Sequence, residues 1–147
     1  MREPRKLHLS FEPTFGNVDM VRAAVGGICS DFFQLGCSAA SVLDFCLIVT
    51  ELMNNAVEHT DAGVLDAEIL LSDHEAVFRL ISAGKGFDPT QTAIMPDVGQ
   101  DELPEGGYGL ALIQALADDM EYERQEDRNM VTLRKTFPVQ AEKEETE

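Results

Sequence analysis

A long stripe of apolar side chains in the middle of the sequence limits the architectures open to this chain. Between residues 38 and 59, apolar residues recur three and four positions apart, which places them on one face of an α-helix. Ser38 is a suitable N-cap, and the pattern ends near His59. A helix with one apolar face has to bury that face against another layer of structure. The predicted stripe consists of Val42, Phe45, Val49, Leu52 and Ala56.

Alternating apolar and polar residues on both sides of this helix predict the sheet that it packs against. Helical spacing also returns before and after the central helix. The order of the elements predicts a two-layer α/β sandwich, in which helices cover one face of a mixed, mostly antiparallel sheet. The predicted strands are residues 6–11, 64–71, 76–81, 120–124 and 129–137, and the predicted helices are residues 17–35, 38–59 and 108–117.

The stretch from residue 83 to residue 107 is rich in glycine and proline and has no sustained period. A loop of this length inside a compact domain is usually functional, and we expect it to move. One domain is expected over residues 1–137, because a chain of 147 residues is long enough for one core and too short for two of ordinary size. The acidic stretch 138–147 is expected to be a disordered tail.

The charge of the chain excludes some classes of partner. The sequence has 27 acidic and 11 basic residues, and its net charge of −16 repels nucleic-acid phosphates and anionic membrane surfaces. We therefore expect no direct nucleic-acid binding, and a protein partner with a basic surface. No segment is expected to span a membrane and no apolar signal core follows the first residues, so a cytoplasmic location is expected.

The three cysteines, Cys29, Cys37 and Cys46, form no CxxC pair and have apolar neighbours in the sequence. We predict reduced, buried thiols with a structural role, because a free thiol packs as a small apolar group. A metal or redox role for these cysteines is the alternative.

Glu51, Asn55 and His59 follow one another at four-residue intervals, so they project from one side of the central helix, opposite the apolar stripe. A carboxylate and an amide oxygen one turn apart can together hold a hydrated Mg²⁺, and the carboxylate can also accept a proton. The same spacing fits the solvated side of an amphipathic helix, although asparagine is a poor helix former. Spacing alone leaves both interpretations open.

Two glycine-containing segments are candidates for contact with a ligand. Gly84 and Gly86 directly follow a predicted strand, where glycines let the backbone pass close to a flat molecule, but a simple turn also explains them. Gly107 and Gly109 open the last predicted helix, whose first-turn N–H groups and dipole favour an anion. This segment lacks the ending of a Walker A loop and does not follow a strand, so a phosphate site here belongs to another fold.

Three segments occur in a fixed order along the chain: residues 51–59 (ELMNNAVEH), 82–88 (SAGKGFD) and 106–113 (GGYGLALI). Together they resemble the N-box and the two glycine boxes of the GHKL ATPase superfamily, which has the Bergerat ATP-binding fold. The spacing and the flanking residues 115–122 are most similar to the bacterial anti-sigma-factor serine/threonine kinases. The resemblance covers nearly the whole chain and implies ATP and Mg²⁺ as cofactors.

The resemblance implies a role for each matching residue. Glu51 would be the general base that activates a serine hydroxyl of the partner, and Asn55 would bind Mg²⁺ and link it to the phosphates of ATP, with His59 supporting the same site. The implied partners are an anti-anti-sigma protein, phosphorylated on serine, and a sigma factor, which is sequestered. Two copies of the chain would associate through the first strand and helix. The other implied contacts are Ser82, Gly84 and Gly86 at the adenine pocket, and Gly107, Gly109 and Leu110 at the phosphates beneath a lid at 89–105.

Ser82 departs from the family pattern, whose first glycine box begins with an aspartate that accepts a hydrogen bond from the adenine amino group. A hydroxyl is an uncharged acceptor on a shorter side chain, and losing one charged hydrogen bond lowers affinity by roughly ten- to a hundredfold. The alternative function is therefore a non-catalytic module that regulates a protein partner with weak or no ATP binding. A detached ATP-binding domain of a sensor histidine kinase is less favoured, because His8 lies in a predicted strand and not in a helical hairpin.

Overall fold

The computed structural model describes residues 3–84 and 107–138, with the backbone alone for residues 107–110. Gly86, the predicted lid at 89–105 and the predicted tail from residue 139 onward lie outside the described residues. The described part of the chain forms three helices and five strands. These elements are β1 (Arg5–Phe11), α1 (Phe15–Phe33), α2 (Ala40–His59), β2 (Leu65–Ser72), β3 (Glu75–Ala83), α3 (Gly107–Leu116), β4 (Asp119–Gln125) and β5 (Arg128–Thr136).

The strands form one sheet in the order β1-β2-β3-β5-β4. Every pairing between these strands is antiparallel, and the core lies between the sheet and the helices. The two-layer α/β sandwich is therefore confirmed. The parallel pairing that a mixed sheet requires is not found among the described strands. After α3 the chain enters the sheet at its far edge and returns through the β4–β5 hairpin, so that β5 runs antiparallel to β3.

Both hairpins turn over two residues. β2 ends at Ser72 and β3 begins at Glu75, so the connection is shorter than the gap between the two predicted strands. In the β4–β5 hairpin, Glu126 has a φ of 51°, the left-handed conformation that suits a tight turn between twisted strands. β3 continues to Ala83, two residues further than predicted, and therefore includes Ser82.

The two long helices begin differently from the prediction. α1 starts two residues earlier than predicted, because the Thr14 hydroxyl accepts a hydrogen bond from the Asn17 N–H at 3.1 Å. α2 starts at Ala40, and its N-cap residue Ala39 makes no side-chain bond. The prediction that Ser38 caps α2 is wrong, because Ser38 lies in the preceding turn. α2 forms without a cap because burial of its apolar face supplies most of its stability.

The predicted apolar stripe of α2 is buried at the centre of the core. At one end of this core, the Phe33 and Phe137 rings stack with their centroids 4.2 Å apart, and Phe45 meets Phe137 edge-on at 5.8 Å. We call these three residues the aromatic cluster. None of them is more than 1% exposed, so this end of the core is closed to water.

The cysteines lie in three different environments. Cys29 is buried in the core, and burial first, then the neighbouring Cys46, raises the pKa of its thiol to about 12. Cys46 is half-buried against α1, where Gly26 leaves room for its sulfur: a β-carbon at residue 26 would lie 3.2 Å from Sγ. Cys37 lies in the turn between α1 and α2 and is exposed, so the prediction of a buried thiol is wrong at that position. All three thiols are free.

α2 is long and apolar enough to meet the length and composition criteria of a membrane span, contrary to the expectation that no segment would. In the structure it packs against α1, α3, β3 and β5, and its apolar stripe is buried. A central helix that contacts neighbours on several sides needs this composition, because it has more than one face to bury.

The C-terminal end of α3 is tied to β5. The Lys135 ammonium donates to the Leu116 carbonyl at 2.9 Å, and the Asp118 N–H donates to the Arg134 carbonyl at 2.8 Å. The Asp118 carboxylate accepts from the Thr136 N–H at 2.5 Å. Hydrogen bonds from the side chain and then the backbone of Thr136 lower the pKa of the Asp118 carboxyl. These contacts fix the end of α3 that lies opposite its glycine-containing first turn.

Candidate functional site

The helix-facing side of the sheet changes from apolar to polar at one end. In an antiparallel sheet, directly opposite residues project from the same face, so the register of β3, β5 and β4 defines rows of side chains across the sheet. Two successive rows are largely apolar and belong to the core or pack against it. The next row, which we call the polar row, lies at the ends of the strands. The three rows are Phe78, Leu133 and Met120; Leu80, Val131 and Tyr122; and Ser82, Asn129 and Arg124.

Two members of the polar row are withdrawn from water. Ser82 is 8% exposed and Asn129 is 3% exposed, although both side chains carry hydrogen-bonding groups. Burying polar groups costs free energy unless they have partners, so their position at the end of an apolar core indicates a hydrogen-bonded network or a place for a polar ligand. The predicted site residue Ser82 thus lies inside a strand, next to Asn129, and not in the loop after β3.

Gly84 is the first residue after β3, and its backbone is held on both sides. Its N–H donates to the Asp127 carbonyl at 2.6 Å, and its carbonyl accepts from Arg124 Nη1 at 2.9 Å and from Asn129 Nδ2 at 3.2 Å. The φ of Gly84 is +97°, a conformation that favours glycine. A β-carbon here would lie 2.2 Å from Asp61 Oδ1, so the loop after α2 packs directly against this glycine.

Asn55 is a buried amide on α2 with an unsatisfied donor. It is 7% exposed, and its Nδ2 has no hydrogen-bond partner among the described residues. The prediction that Asn55 projects opposite the apolar stripe is wrong. Ile48 and Met53 are buried in addition to the stripe, so the buried face of α2 is wide enough to include Asn55. An unpaired buried amide costs about 1–3 kcal/mol, and such a group is expected where a ligand supplies the missing partner.

Glu51 lies one turn before Asn55, and His59 lies one turn after it. Glu51 is half-buried, and burial first, then the negative charge of Glu58, raises the pKa of its carboxyl above the ordinary value. A carboxylate with a raised pKa is a better proton acceptor than an ordinary glutamate. His59 is exposed in the last turn of α2. The three predicted residues therefore share one helix but lie in three environments.

α3 begins at Gly107, so the second predicted glycine segment forms its first turn. Gly107, Gly109 and Leu110 lie in that turn, where the backbone N–H groups have no acceptor within the helix. These donors and the helix dipole can bind an anion. α3 packs directly against α2, the helix that carries Asn55. The structure thus brings two of the three predicted segments onto neighbouring helices, and the third begins in β3.

Sequence reasoning missed the polar partners of Gly84. Asn129 precedes Val131 by two residues and Leu133 by four, so it occupies a position of β5 that points toward the helices. An asparagine at a strand position where the alternating pattern places core residues is a signal that could have identified it. Asp61 gives no such signal, because its contact with Gly84 depends on how the loop after α2 folds back.

Comparison with known proteins identifies relatives of this chain. A family model described as a histidine kinase-like ATPase domain matches residues 11–135. The serine-protein kinase RsbW of Listeria monocytogenes is 32% identical over 129 residues, which is 82% of this chain and 79% of that protein. The serine-protein kinase RsbW of Oceanobacillus iheyensis is 26% identical over 117 residues, which is 74% of this chain and 72% of that protein.

One solved structure is similar in fold. The crystal structure of the RsbU and RsbW domains of a Mycobacterium tuberculosis protein superposes with a TM-score of 0.59 at 19% sequence identity. The match covers 92% of this chain and 34% of the other, so this chain spans about a third of that structure. At this identity the likeness concerns the fold alone.

Proposed function

Because the chain belongs to the histidine kinase-like ATPase domain family, we propose that it is an ATP-dependent serine kinase that regulates transcription through protein partners. Relatives in two bacteria are named serine-protein kinases. In this proposal the chain phosphorylates an anti-anti-sigma protein on serine and sequesters a sigma factor. Such partners place it in the cytoplasm, and the net charge of −16 favours basic partner surfaces.

The observation that carries this proposal is the buried Asn55 amide, whose Nδ2 has no partner among the described residues, one turn from a glutamate with a raised pKa. An amide offers an oxygen to a hard cation and N–H donors to a phosphate oxygen. The unpartnered Nδ2 donor fits a phosphate oxygen, and the amide oxygen of Asn55 would be the ligand of Mg²⁺, because that ion prefers oxygen ligands. The ion would hold the phosphates of ATP and neutralise part of their charge.

In the proposed transfer, Glu51 accepts the proton of the partner's serine hydroxyl while the serine oxygen attacks the γ-phosphorus of ATP. The bond from the γ-phosphorus to the bridging oxygen breaks, and ADP leaves. The raised pKa of Glu51 suits this role, because a general base works best when its pKa approaches the working pH.

The remaining predicted residues divide between the two ends of the nucleotide. The first-turn N–H groups of α3, with Gly107, Gly109 and Leu110, would hold the phosphates. Local donors of this kind are needed, because the net charge of the chain otherwise repels ATP. At the other end, Ser82, Gly84 and Gly86 would border the adenine ring, and His59 would support the site from α2.

The test is isothermal titration of Mg-ATP into the wild-type chain and into Asn55→Ala. Asn54→Ala is the matched control, because Asn54 has the same side chain at the adjoining, less buried position of α2. We expect binding in the wild type and the control, and a loss of at least tenfold in Asn55→Ala. Equal binding by both variants, or phosphate transfer that survives Glu51→Ala, contradicts the proposed roles.

Ser82 favours a second candidate function, a non-catalytic module that binds a regulatory partner. The hydroxyl lies in the polar row, where the family has a carboxylate, and it is 8% exposed. If the wild type binds no nucleotide and Ser82→Asp does, the chain keeps the fold for partner recognition. Micromolar binding and turnover of Mg-ATP by the wild type exclude this function.

The proposal includes association of two copies through β1 and α1. β1 lies at the edge of the sheet that the described residues form, so one side of it is open to pairing with a second copy. A groove of about 520 Å³ separates β1 from α1, and Met20 on its α1 side is 71% exposed. We expect light scattering to give twice the chain mass for the wild type, and the single mass for Met20→Glu. A monomeric wild type contradicts this part of the proposal.

A further inference from the structure

Three side chains of the β4–β5 hairpin are linked to the backbone of Gly84, two directly and one through Asn129. Asn129 Nδ2 donates to the Gly84 carbonyl at 3.2 Å, and Arg124 Nη1 donates to the same oxygen at 2.9 Å. Tyr122 does not reach Gly84, but its hydroxyl donates to Asn129 Oδ1 at 2.8 Å. We call Tyr122, Arg124 and Asn129 the hairpin cluster. It joins the edge of the sheet to the residue where the chain leaves β3.

The Asn129 amide is held in one orientation. Its oxygen accepts from Tyr122 and also from Arg124 Nη1 at 2.6 Å, so its nitrogen has to face the Gly84 carbonyl. Asn129 is 3% exposed, and water cannot easily replace a lost bond. A change at Tyr122 therefore reaches Gly84 through Asn129, although the tyrosine hydroxyl makes no contact with the glycine.

Gly84 needs this support because it has left the sheet. Its φ of +97° departs from the extended backbone of β3, and Asp61 packs against its α-carbon. The N–H bond to the Asp127 carbonyl fixes one side of the residue. The bonds from Asn129 and Arg124 fix the carbonyl on the other side. Together they hold the Gly84 backbone in one orientation beside Ser82.

We propose that Asn129, oriented by Tyr122 and Arg124, is a positioning residue that fixes Gly84 and thereby sets the base end of the nucleotide site. This inference rests on the proposed function, which places adenine beside Ser82 and Gly84. It assigns a role to three side chains that the three sequence motifs do not include. Their effect on nucleotide affinity is exerted through the backbone of Gly84.

The proposal predicts a loss of affinity that does not depend on the phosphates. Asn129→Asp keeps an acceptor for Tyr122 and Arg124 but removes the donor to Gly84, so Mg-ATP and Mg-ADP should both bind about tenfold more weakly. Tyr122→Phe removes only the hydroxyl and keeps the ring against the core, so it should weaken both nucleotides by about threefold. Thr132→Val is the matched control, because Thr132 lies on β5 but bonds to Arg79, on the side of the sheet away from the core.

Two measurements are combined. Titration calorimetry gives the nucleotide affinities, and NMR in the absence of nucleotide gives the hydrogen-exchange rate of the Gly84 amide. We expect faster exchange of the Gly84 amide in Asn129→Asp and Tyr122→Phe, with the control unchanged and with similar unfolding midpoints for Tyr122→Phe and the wild type. A merely structural role would lower the unfolding midpoint without a selective change at Gly84.

The outcomes separate this inference from the proposed function. If the wild type binds nucleotide and both hairpin-cluster variants bind equally well, the positioning role is overturned. If Gly84 exchange is the same in all variants, the anchoring of Gly84 is overturned, whatever the affinity. If the wild type binds no nucleotide, the proposed function fails and the role at a nucleotide site fails with it, while faster exchange in the variants would still show that Asn129 holds Gly84.

Discussion

The two ends of the interface between the helices and the sheet are built from opposite kinds of residue, and α2 spans both. At one end, the aromatic cluster packs rings within 4.2 Å and 5.8 Å of each other and excludes water. At the other end, Ser82 and Asn129 of the polar row and the Asn55 amide are also withdrawn from water, but they are hydrogen-bonding groups. The first end lowers the free energy of the folded state, whereas the second raises it unless its groups find partners.

This difference assigns the stability of the fold to the aromatic end and ligand binding to the polar end of one small core. Apolar packing contributes in proportion to the area that it removes from water, and it needs no ligand. A buried amide such as Asn55 has a free-energy cost in the empty protein that a bound ligand can remove. A ligand at the polar end should therefore stabilise the fold, and an apolar replacement of the Asn55 amide should raise stability where removal of a ring from the aromatic cluster lowers it.

The largest expected effect is at the aromatic end. Phe137→Ala removes a ring that is 1% exposed and that contacts both Phe33 and Phe45, so the free energy of unfolding should fall by about 3–5 kcal/mol. Urea denaturation measures the change. Phe15→Ala is the control, because Phe15 is 52% exposed and its loss should change stability by no more than about 0.5 kcal/mol. Similar losses of stability in both variants would mean that the aromatic cluster contributes no more to the free energy of unfolding than an exposed ring does.

The next effect is expected at Gly84, the first residue after β3. Gly84→Ala forces a side chain into a φ of +97°, at a cost of about 1–2 kcal/mol, while Asp61 can rotate away from the new β-carbon. Nucleotide affinity should fall as well. Gly27→Ala, in the middle of α1 with open space around its α-carbon, should instead stabilise the chain by about 0.5–1 kcal/mol. A neutral or stabilising Gly84→Ala would show that its left-handed conformation is not required.

A stabilising substitution is expected at Asn55. Asn55→Leu replaces an amide with an unpartnered donor by an apolar group of similar size, so the free energy of unfolding should rise by about 1 kcal/mol. The added stability from Mg-ATP, visible as a shift in thermal unfolding, should disappear in this variant. A variant that is less stable than the wild type would indicate that Asn55 already has a partner in the folded chain.

The smallest effect is a pH dependence at Glu51. Its pKa is raised in the folded state, so between the ordinary and the raised value the unfolded chain ionises first, and the wild type loses stability as the pH rises. Glu51→Gln cannot ionise, and it should be more stable than the wild type at pH 7, by less than about 1 kcal/mol because the carboxyl is only half-buried. The difference should vanish near pH 4, which is below the ordinary pKa, when urea denaturation is repeated there. An equal difference at both pH values would assign the gain to packing.

The positions of residues that belong to a periodic apolar pattern could be predicted from the sequence. The positions of residues that depend on tertiary packing could not. The α2 stripe and the alternation in β2, β3 and β5 identified the sandwich, because burial on one face leaves a period in the sequence. Ser38 was assigned as a cap from its chemistry alone, but α2 is fixed by packing and begins later. Cys37 has apolar neighbours along the chain, yet its position in a turn exposes it.

The candidate site was predictable in its residue types and less so in its geometry. Motif spacing selected Glu51, Asn55 and Ser82, but not the burial of Asn55, since the width of the buried face of α2 depends on α1 and α3 as well as on the sheet. The link from Asn129 to Gly84 joins residues 45 positions apart. Such a contact leaves no local pattern in the sequence, except that an asparagine occupies a strand position whose side chain points toward the core.

The bonds at the end of α3 have a consequence for how the nucleotide site can change shape. Lys135 and Asp118 hold the C-terminal end of the helix to β5, while its first turn supplies the phosphate donors of the proposed site. The bonds to β5 therefore restrain the first turn of α3 less than they restrain its C-terminal end. A phosphate held by the first-turn N–H groups would therefore act on one end of α3 while the other end stays tied to β5.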